Sequence, residues 1–205
     1  MSICRLTKED IPRAVECLKD AFKDDPLWAE VFKNDPDKDN SLTGFYATPL
    51  LYGIKYGKAY SATPEIEGVA VWVPGKFATM TMWRMFRCGA LLYGAKMGKE
   101  TLQNLSIISK QLGPERKSLM KNKTYQYLMI IGVSGRAQGM GLASKLMDAM
   151  KEESEREGIH LYLETEKEEN IAFYEKHGFK MLKKIVLKKL QLPMWLMERK
   201  PENEY

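Results

Sequence analysis

The stretch from Tyr127 to Arg156 constrains the fold of this chain more than any other. An apolar run, Tyr127 to Val133, passes through the glycine-bearing segment Ser134-Gly135-Arg136-Ala137-Gln138-Gly139-Met140-Gly141 into a helical pattern, Leu142 to Arg156. In that pattern Ala143, Leu146, Met147 and Met150 share one face. Gly158 stops the helix, and Ile159, Leu161 and Leu163 make the next strand. Strand, loop, helix and strand in that order form a βαβ unit, which requires a parallel strand pair. A loop that joins a buried strand directly to a helix gathers backbone N–H groups at the positive end of the helix dipole, so it is an anion site by construction. Gly139 and Gly141 let the main chain approach a pyrophosphate, while Arg136 and Lys145 add mobile positive charge nearby.

A tight strand-to-helix turn that binds nothing is the plainer alternative for an isolated glycine motif. Among nucleotide sites, a Walker-type loop is excluded, because it needs lysine and then Ser or Thr directly after its last glycine, and Gly141 is followed by Leu142 and Ala143. The Gly135, Gly139, Gly141 spacing also fits a short-chain dehydrogenase turn, with Glu164 where a ribose-binding acid would stand. That fold needs further βα units and a tyrosine followed four residues later by lysine, yet little chain remains and Tyr174 is followed by Gly178.

From Tyr127 to Arg199 the sequence resembles the GNAT superfamily of acyl-CoA-dependent N-acyltransferases, in which a strand leads into Arg/Gln-x-x-Gly-x-Gly/Ala. Arg136, Gly139 and Gly141 match that motif. Leu163-Glu164-Thr165 and the run Asn170 to Phe179, with its Asn-x-x-x-Tyr and Gly-Phe ending, look like the second half of the same fold. The segment Ala21-Phe22 through Asp25-Pro26 and the Gly68-to-Pro74 strand also resemble a bacterial branch that includes puromycin acetyltransferase-like proteins. The resemblance implies a mixed α/β fold: a central, mostly antiparallel sheet with flanking helices and one parallel strand pair that splays apart. It also implies acetyl-CoA as co-substrate and transfer of the acetyl group to a primary amine. Ile131, Gly132 and Val133 would then pair with the pantetheine arm as a strand does, and Arg136, Ala137, Gln138, Gly139, Met140, Gly141, Leu142 and Ala143 would cradle the pyrophosphate.

Asn170 and Tyr174 are four apart on a helix, hence on one face, which the family pattern turns toward the cofactor. Asn170 offers an amide donor and acceptor to the cofactor arm. Tyr174, protonated at neutral pH, is the candidate general acid, against the plainer reading that its ring packs in the core. Phe173 and Phe179 read as core. No carboxylate lies between Thr124 and Val133, where many family members keep a base. Glu164 is the nearest candidate, set against a structural role for the same residue. Gly135 stands where the family often has proline. The missing strand carboxylate also keeps a second function in view, a non-catalytic acyl-CoA-binding or sensing module.

The rest of the chain reads as one domain over 1–205, for 205 residues with 44% hydrophobic and 29% charged content suit a single globular core. Ile3 to Leu6 is a short strand, and Thr7 with Asp10 can cap a helix bearing Ile11, Ala14, Val15, Leu18 and Phe22. Asp24, Asp25 and Pro26 break the pattern; a helix from Ser41 to Tyr56 and strands at Lys58 to Ala62 and Gly68 to Val73 follow. A helical insertion, about 76–122, is interrupted at Gly113-Pro114; its Met and aromatic residues (Met80, Met82, Trp83, Met85, Phe86, Tyr93, Met97) either pack or line a substrate pocket with Phe45 to Tyr56. Phe179 to Leu190 and Met194 to Arg199 make a final antiparallel pair, with Lys183, Lys184, Lys188 and Lys189 on an exposed strand face or edge, or beside a cofactor phosphate.

A net charge of +5 is too small and dispersed for a nucleic-acid partner, and the longest apolar runs are far too short to cross a membrane. Ser2, Cys4, Arg5 and Lys8 lack the pattern of a secretory signal, so the expected location is cytoplasmic. Cys4, Cys17 and Cys88 form neither a disulfide framework nor a zinc site, and His160 and His177 read as surface or packing residues, so no metal is expected. With no cysteine near the cofactor motifs, direct attack in a ternary complex is expected over an acyl-enzyme.

Overall fold

The strand Tyr125–Val133 is the spine of the molecule: it has an antiparallel neighbour along its whole length on one side and a parallel neighbour along only its first third on the other. The computed structural model describes residues 3–202, so Ser2 lies outside it. The chain runs β1 (Cys4–Arg5), α1 (Ile11–Ala21), α2 (Pro26–Val31), α3 (Lys38–Tyr56), β2 (Lys58–Ser61) and β3 (Gly68–Pro74). It continues with α4 (Met82–Cys88), α5 (Ala90–Gly94), α6 (Lys99–Leu119), β4 (Tyr125–Val133), α7 (Leu142–Glu157), β5 (His160–Thr165), α8 (Glu169–Lys176), β6 (Lys180–Leu187) and β7 (Leu192–Arg199). Among the described residues the strands form one seven-stranded sheet, ordered β1-β2-β3-β4-β5-β7-β6, antiparallel throughout except at β4–β5.

Both faces of the sheet are covered. Leu18, Tyr46, Leu50, Val71 and Ile130 form a cluster beneath α1 and α3. Trp72, Leu146, Met147, Leu163 and Trp195 form another on the α7 side, with Tyr174 and Phe179 from the α8 region.

Two departures from the sequence reading have local causes. Asp24-Asp25-Pro26 starts a helix instead of only ending one: Asp25 accepts from the Leu27 and Trp28 amides at 3.0 and 3.3 Å, and Pro26 occupies the first helical position, where a missing N–H costs nothing. Gly113-Pro114 lies inside an unbroken α6, held in place by tertiary bonds from Glu115 to Lys183 and from Arg116 to Glu164. In the insertion, Met85 and Tyr93 pack on the core, whereas Met82, Trp83 and Phe86 are exposed and neither pack there nor line an enclosed pocket.

The parallel pairing of β4 with β5 stops at Tyr127↔Tyr162, and the strands fork beyond it. Trp72 opposes Leu128 while Val71 opposes Ile130, so Met129 is an extra residue, a β-bulge placed where β4 leaves β5. A bulge bends its strand and raises the local twist, which opens the pair. It also switches side-chain faces, so that Tyr127 and Gly132, an odd and an even position, both lie on the α1/α3 side.

A buried ion pair closes the base of the fork. Arg116 of α6 donates to Glu164 through Nε at 3.0 Å and through a second guanidinium nitrogen at 3.1 Å, while the Tyr127 and Tyr162 hydroxyls donate to the same carboxylate at 3.0 and 3.1 Å. Arg116 also reaches the Ala78 carbonyl at 3.0 Å and lies over the Tyr127 ring at 4.0 Å. Removing one partner leaves a buried charge uncompensated. Glu164→Ala should therefore cost about 3–5 kcal/mol in urea denaturation, and Arg116→Met with Glu164→Leu should cost less than Glu164→Ala alone.

Candidate active site

The loop after β4 begins with a short 3-10 turn at Gly135–Ala137 and ends at α7. Gly139 (φ +80°) and Gly141 (φ +75°) occupy the left-handed region, and a Cβ on either would meet no atom within 4 Å. The turn therefore requires glycine for conformation, and it faces open space. The Ala137, Gln138 and Met140 amides bond inside the loop at 2.9, 3.4 and 3.4 Å. Those of Gly139 and Gly141 have no partner among the described residues, and Leu142 and Ala143 open the first turn of α7, where amides are unpaired by geometry. The Gly135 amide is already taken by the Asp20 carboxylate at 2.6 Å.

Arg136 is exposed and pairs with Glu67 at 3.4 Å, while Lys145 is tied to the Ala62 carbonyl and is not the mobile charge its position in the sequence implies. Lys183 pairs with Glu115, Lys184 lies over Trp195 and Lys189 bonds Asn104, all on or beside the edge strand β6.

Along the fork, the Ser134 amide bonds the Glu67 carbonyl on the β3 side at 2.8 Å. Because alternate residues of a strand direct their N–H and C=O groups to opposite sides, those of Ile131 and Val133 face the fork and those of Gly132 face β3. Gly132 serves through its missing side chain, since a Cβ there would lie 2.9 to 3.0 Å from Phe22, Ala21 and Leu18. Gly132 is what lets α1 lie close against this strand.

Tyr174 lies in the α7-side core, 6% exposed, ring-packed with Phe173 and Phe179. Burial and the nearby Glu166 charge raise its pKa, so the phenol keeps its proton, and its hydroxyl has no hydrogen-bond partner among the described residues. Asn170 reaches Thr165 Oγ1 at 3.4 Å. Glu164 lies at the base of the fork with its two oxygens accepting from Arg116, Tyr127 and Tyr162.

A second carboxyl occupies the end of β5. Glu166 directly follows Thr165, and burial, then the Asp25 charge, push it up to about 8. Asp25 also pairs with Lys167 at 3.0 Å.

Residues 114–181, from the end of α6 into β6, match the family model of the acetyltransferase (GNAT) domain. That segment is similar to a GNAT acetyltransferase domain. Over its whole length it is 26% identical to an uncharacterized N-acetyltransferase of Schizosaccharomyces pombe, 85% of which is covered. Its fold is similar to that of a Corynebacterium glutamicum crystal structure described as histone acetyltransferase HPA2 and related acetyltransferase, with a TM-score of 0.65, 20% identity and coverage of 98% and 97% of the two chains. It is similar also to a chain of the NatB acetyltransferase complex bound to CoA and MES, with a TM-score of 0.51, 15% identity and coverage of 98% and 99%. The protein is an acyltransferase.

Cys17 lies closer to the loop than its place in the sequence suggests, against the Ser134 backbone, but burial pushes its thiol up to about 11 and keeps it un-ionised. No helix among the described residues is long and apolar enough to cross a membrane, and no group of three or more His, Cys, Asp or Glu among them is placed to hold a metal ion. The sequence reading missed Asp25, whose Asp-Pro signature reads as a helix breaker, and Glu166, which stands out only once the fork brings α2 and the end of β5 together.

Glu166 keeps its proton to about pH 8 in the folded protein but ionises near 4.5 when unfolded. Its raised pKa favours the folded state fully below the unfolded value, and that contribution is lost as pH rises toward 8. Melting curves should therefore show Glu166→Gln gaining on wild type progressively between about pH 5 and about pH 8.

Proposed function

We propose that this domain transfers the acetyl group of acetyl-CoA to a primary amine by direct attack in a ternary complex. The observation that carries the reading is the continuity of two backbone surfaces on one strand, on which the Val133 carbonyl accepts from the Gln138 side chain at 3.3 Å. The fork-facing backbone of Ile131 and Val133 leads straight into the loop whose Gly139, Gly141, Leu142 and Ala143 amides are open. The first surface suits the amides of a pantetheine arm and the second a pyrophosphate, with Arg136 free to turn from Glu67 toward the phosphates. Ala137, Gln138 and Met140 shape the turn that presents those amides, and Asn170, beside Thr165, is positioned to bond the arm.

When bound, acetyl-CoA supplies a thioester carbonyl carbon open to a neutral amine. Tyr174 Oη holds the proton that the departing sulfur needs. Glu164, first considered as the base, is better used as the clamp of the fork, because its lone pairs are already committed to Arg116 and two phenols. With Cys17 un-ionised and Cys88 raised by burial as well, these thiols are poor nucleophiles, which favours direct attack.

In thermal melts, acetyl-CoA and CoA should each raise the midpoint while NADP leaves it in place, and Gly141→Val should abolish the shift; an unmoved wild-type midpoint with both CoA compounds would overturn the assignment. Tyr174→Phe should keep the acetyl-CoA shift and lose about 10²-fold in kcat, measured as release of CoA thiol. An unchanged kcat would remove Tyr174 from the acid role.

A further inference from the structure

We propose that the α4–α5 segment is an interfacial membrane surface, which seats Met82, Trp83, Phe86 and Leu92 among the headgroups and upper acyl chains of an anionic bilayer. The proposal stands apart from the acetyl-transfer reading and uses none of the residues assigned to it.

Exposure is the first support. Met82, Trp83 and Phe86 of α4 are 66%, 65% and 62% exposed, and Leu92 of α5 is 78% exposed. Positions 82, 83 and 86 share the outward face of one helix, and the Trp83 and Phe86 rings stack with centroids 5.8 Å apart. A single exposed leucine is ordinary. A cluster of large apolar side chains around two aromatic rings, each projecting into solvent, marks an interaction surface.

The helix is braced so that this face stays outward. On its other side Met85 packs on the core, and Cys88 and Ala90 are buried. Beneath it the Tyr52 hydroxyl donates to the Phe77 and Thr79 carbonyls at 2.9 and 3.3 Å, and the Tyr56 hydroxyl donates to the Arg84 carbonyl at 3.3 Å. Thr81 caps the start of α4 by accepting from the Arg84 amide at 3.3 Å, and Gly89, at φ +82°, makes the corner into α5. Turning the apolar residues inward would break these contacts, so they need a partner from outside.

Charge names that partner. Residues 68–99 hold Lys76, Arg84, Arg87, Lys96 and Lys99 and not one Asp or Glu. Their excess equals the net charge of +5 of the whole chain, so basic and acidic residues balance outside this segment. None of the five cations forms an ion pair with a described residue, and the exposed Arg87 and Lys99 side chains have no hydrogen-bond partner among them either. A second copy of the chain would bring the same cations against this face, so charge opposes self-association. An anionic bilayer offers the complementary sign, and its acyl boundary accepts projecting Trp, Phe, Leu and Met side chains whatever their shape. Apolar burial and the attraction of Lys and Arg to acidic headgroups then act together, with the segment lying on the bilayer.

The test is cosedimentation of the full chain with vesicles of phosphatidylcholine alone and of phosphatidylcholine with phosphatidylglycerol at about three to one. Wild type should pellet with the mixed vesicles and stay in solution with the neutral ones, and its binding should weaken as ionic strength rises. Trp83→Ser combined with Phe86→Ser should weaken binding about tenfold or more, and Arg87→Glu combined with Lys99→Glu should do so by a similar factor. All four side chains are exposed, so both variants should melt with wild type, which separates a lost surface from misfolding. Tryptophan emission gives a second readout. Mixed vesicles should shift it to shorter wavelength, and Trp83→Phe should keep binding but lose most of the shift, because Trp72 and Trp195 are buried and Trp28 is half-buried. Failure to bind mixed vesicles, equal binding to neutral ones, or wild-type binding by the Trp83→Ser, Phe86→Ser variant overturns the proposal. A dimer in analytical ultracentrifugation that this variant loses overturns it as well, since a second copy then covers the face.

Discussion

The buried contact between Arg116 and Glu164 sits where β4 and β5 part, and the cleft between them depends on it. The last paired residues, Tyr127 and Tyr162, both donate to the Glu164 carboxylate that Arg116 holds from α6. Below this point the strands are tied by backbone bonds and by the ion pair. Above it, the bulge at Met129 turns β4 away. A pair of strands that simply frayed would rejoin or take up water along its edge, so a stable fork needs both a bend on one side and a fixed base. The helical region between β3 and β4 provides that base, since Arg116 also anchors the Ala78 carbonyl. It is a working part of the sheet and more than a cover over it.

The two arms of the fork have different electrostatic characters. The β4 arm ends in open amides and the positive end of α7, a region suited to phosphate. The β5 arm ends beside the ion pair of Lys167 with Asp25, at 3.0 Å. Tyr174, in the α7-side core, is held protonated by burial.

The loop carries an internal competitor as well. Asp20 takes the Gly135 amide at 2.6 Å, so one donor at the start of the anion site is satisfied by the chain itself. Gly132 makes this closeness possible, because without a side chain there the end of α1 can lie against β4 and bring both Asp20 and Phe22 to the site. The same glycine therefore sets how closely α1 approaches the end of β4.

Much of the framework is local and was legible in the residues. The βαβ unit, the left-handed glycines Gly139, Gly141 and Gly158, and the α8 placement of Asn170 and Tyr174 follow from apolar periodicity and from conformations that only glycine adopts at low cost. What periodicity could not reveal was any feature made by residues distant in the chain. The bulge at Met129 breaks no alternation visible in a wholly apolar strand, and Pro114 stays inside α6 because ion pairs on either side of the helix outweigh a lost backbone bond. Glu164 and Glu166 stand two residues apart with the same side chain, yet one is paired with an arginine 48 residues away and the other is raised by burial and by the charge of Asp25. Sequence alone determined which chemical groups this protein has and which of its turns need glycine; the tertiary structure decided which neighbours each carboxyl meets, because contacts between residues distant in the chain are supplied only by folding.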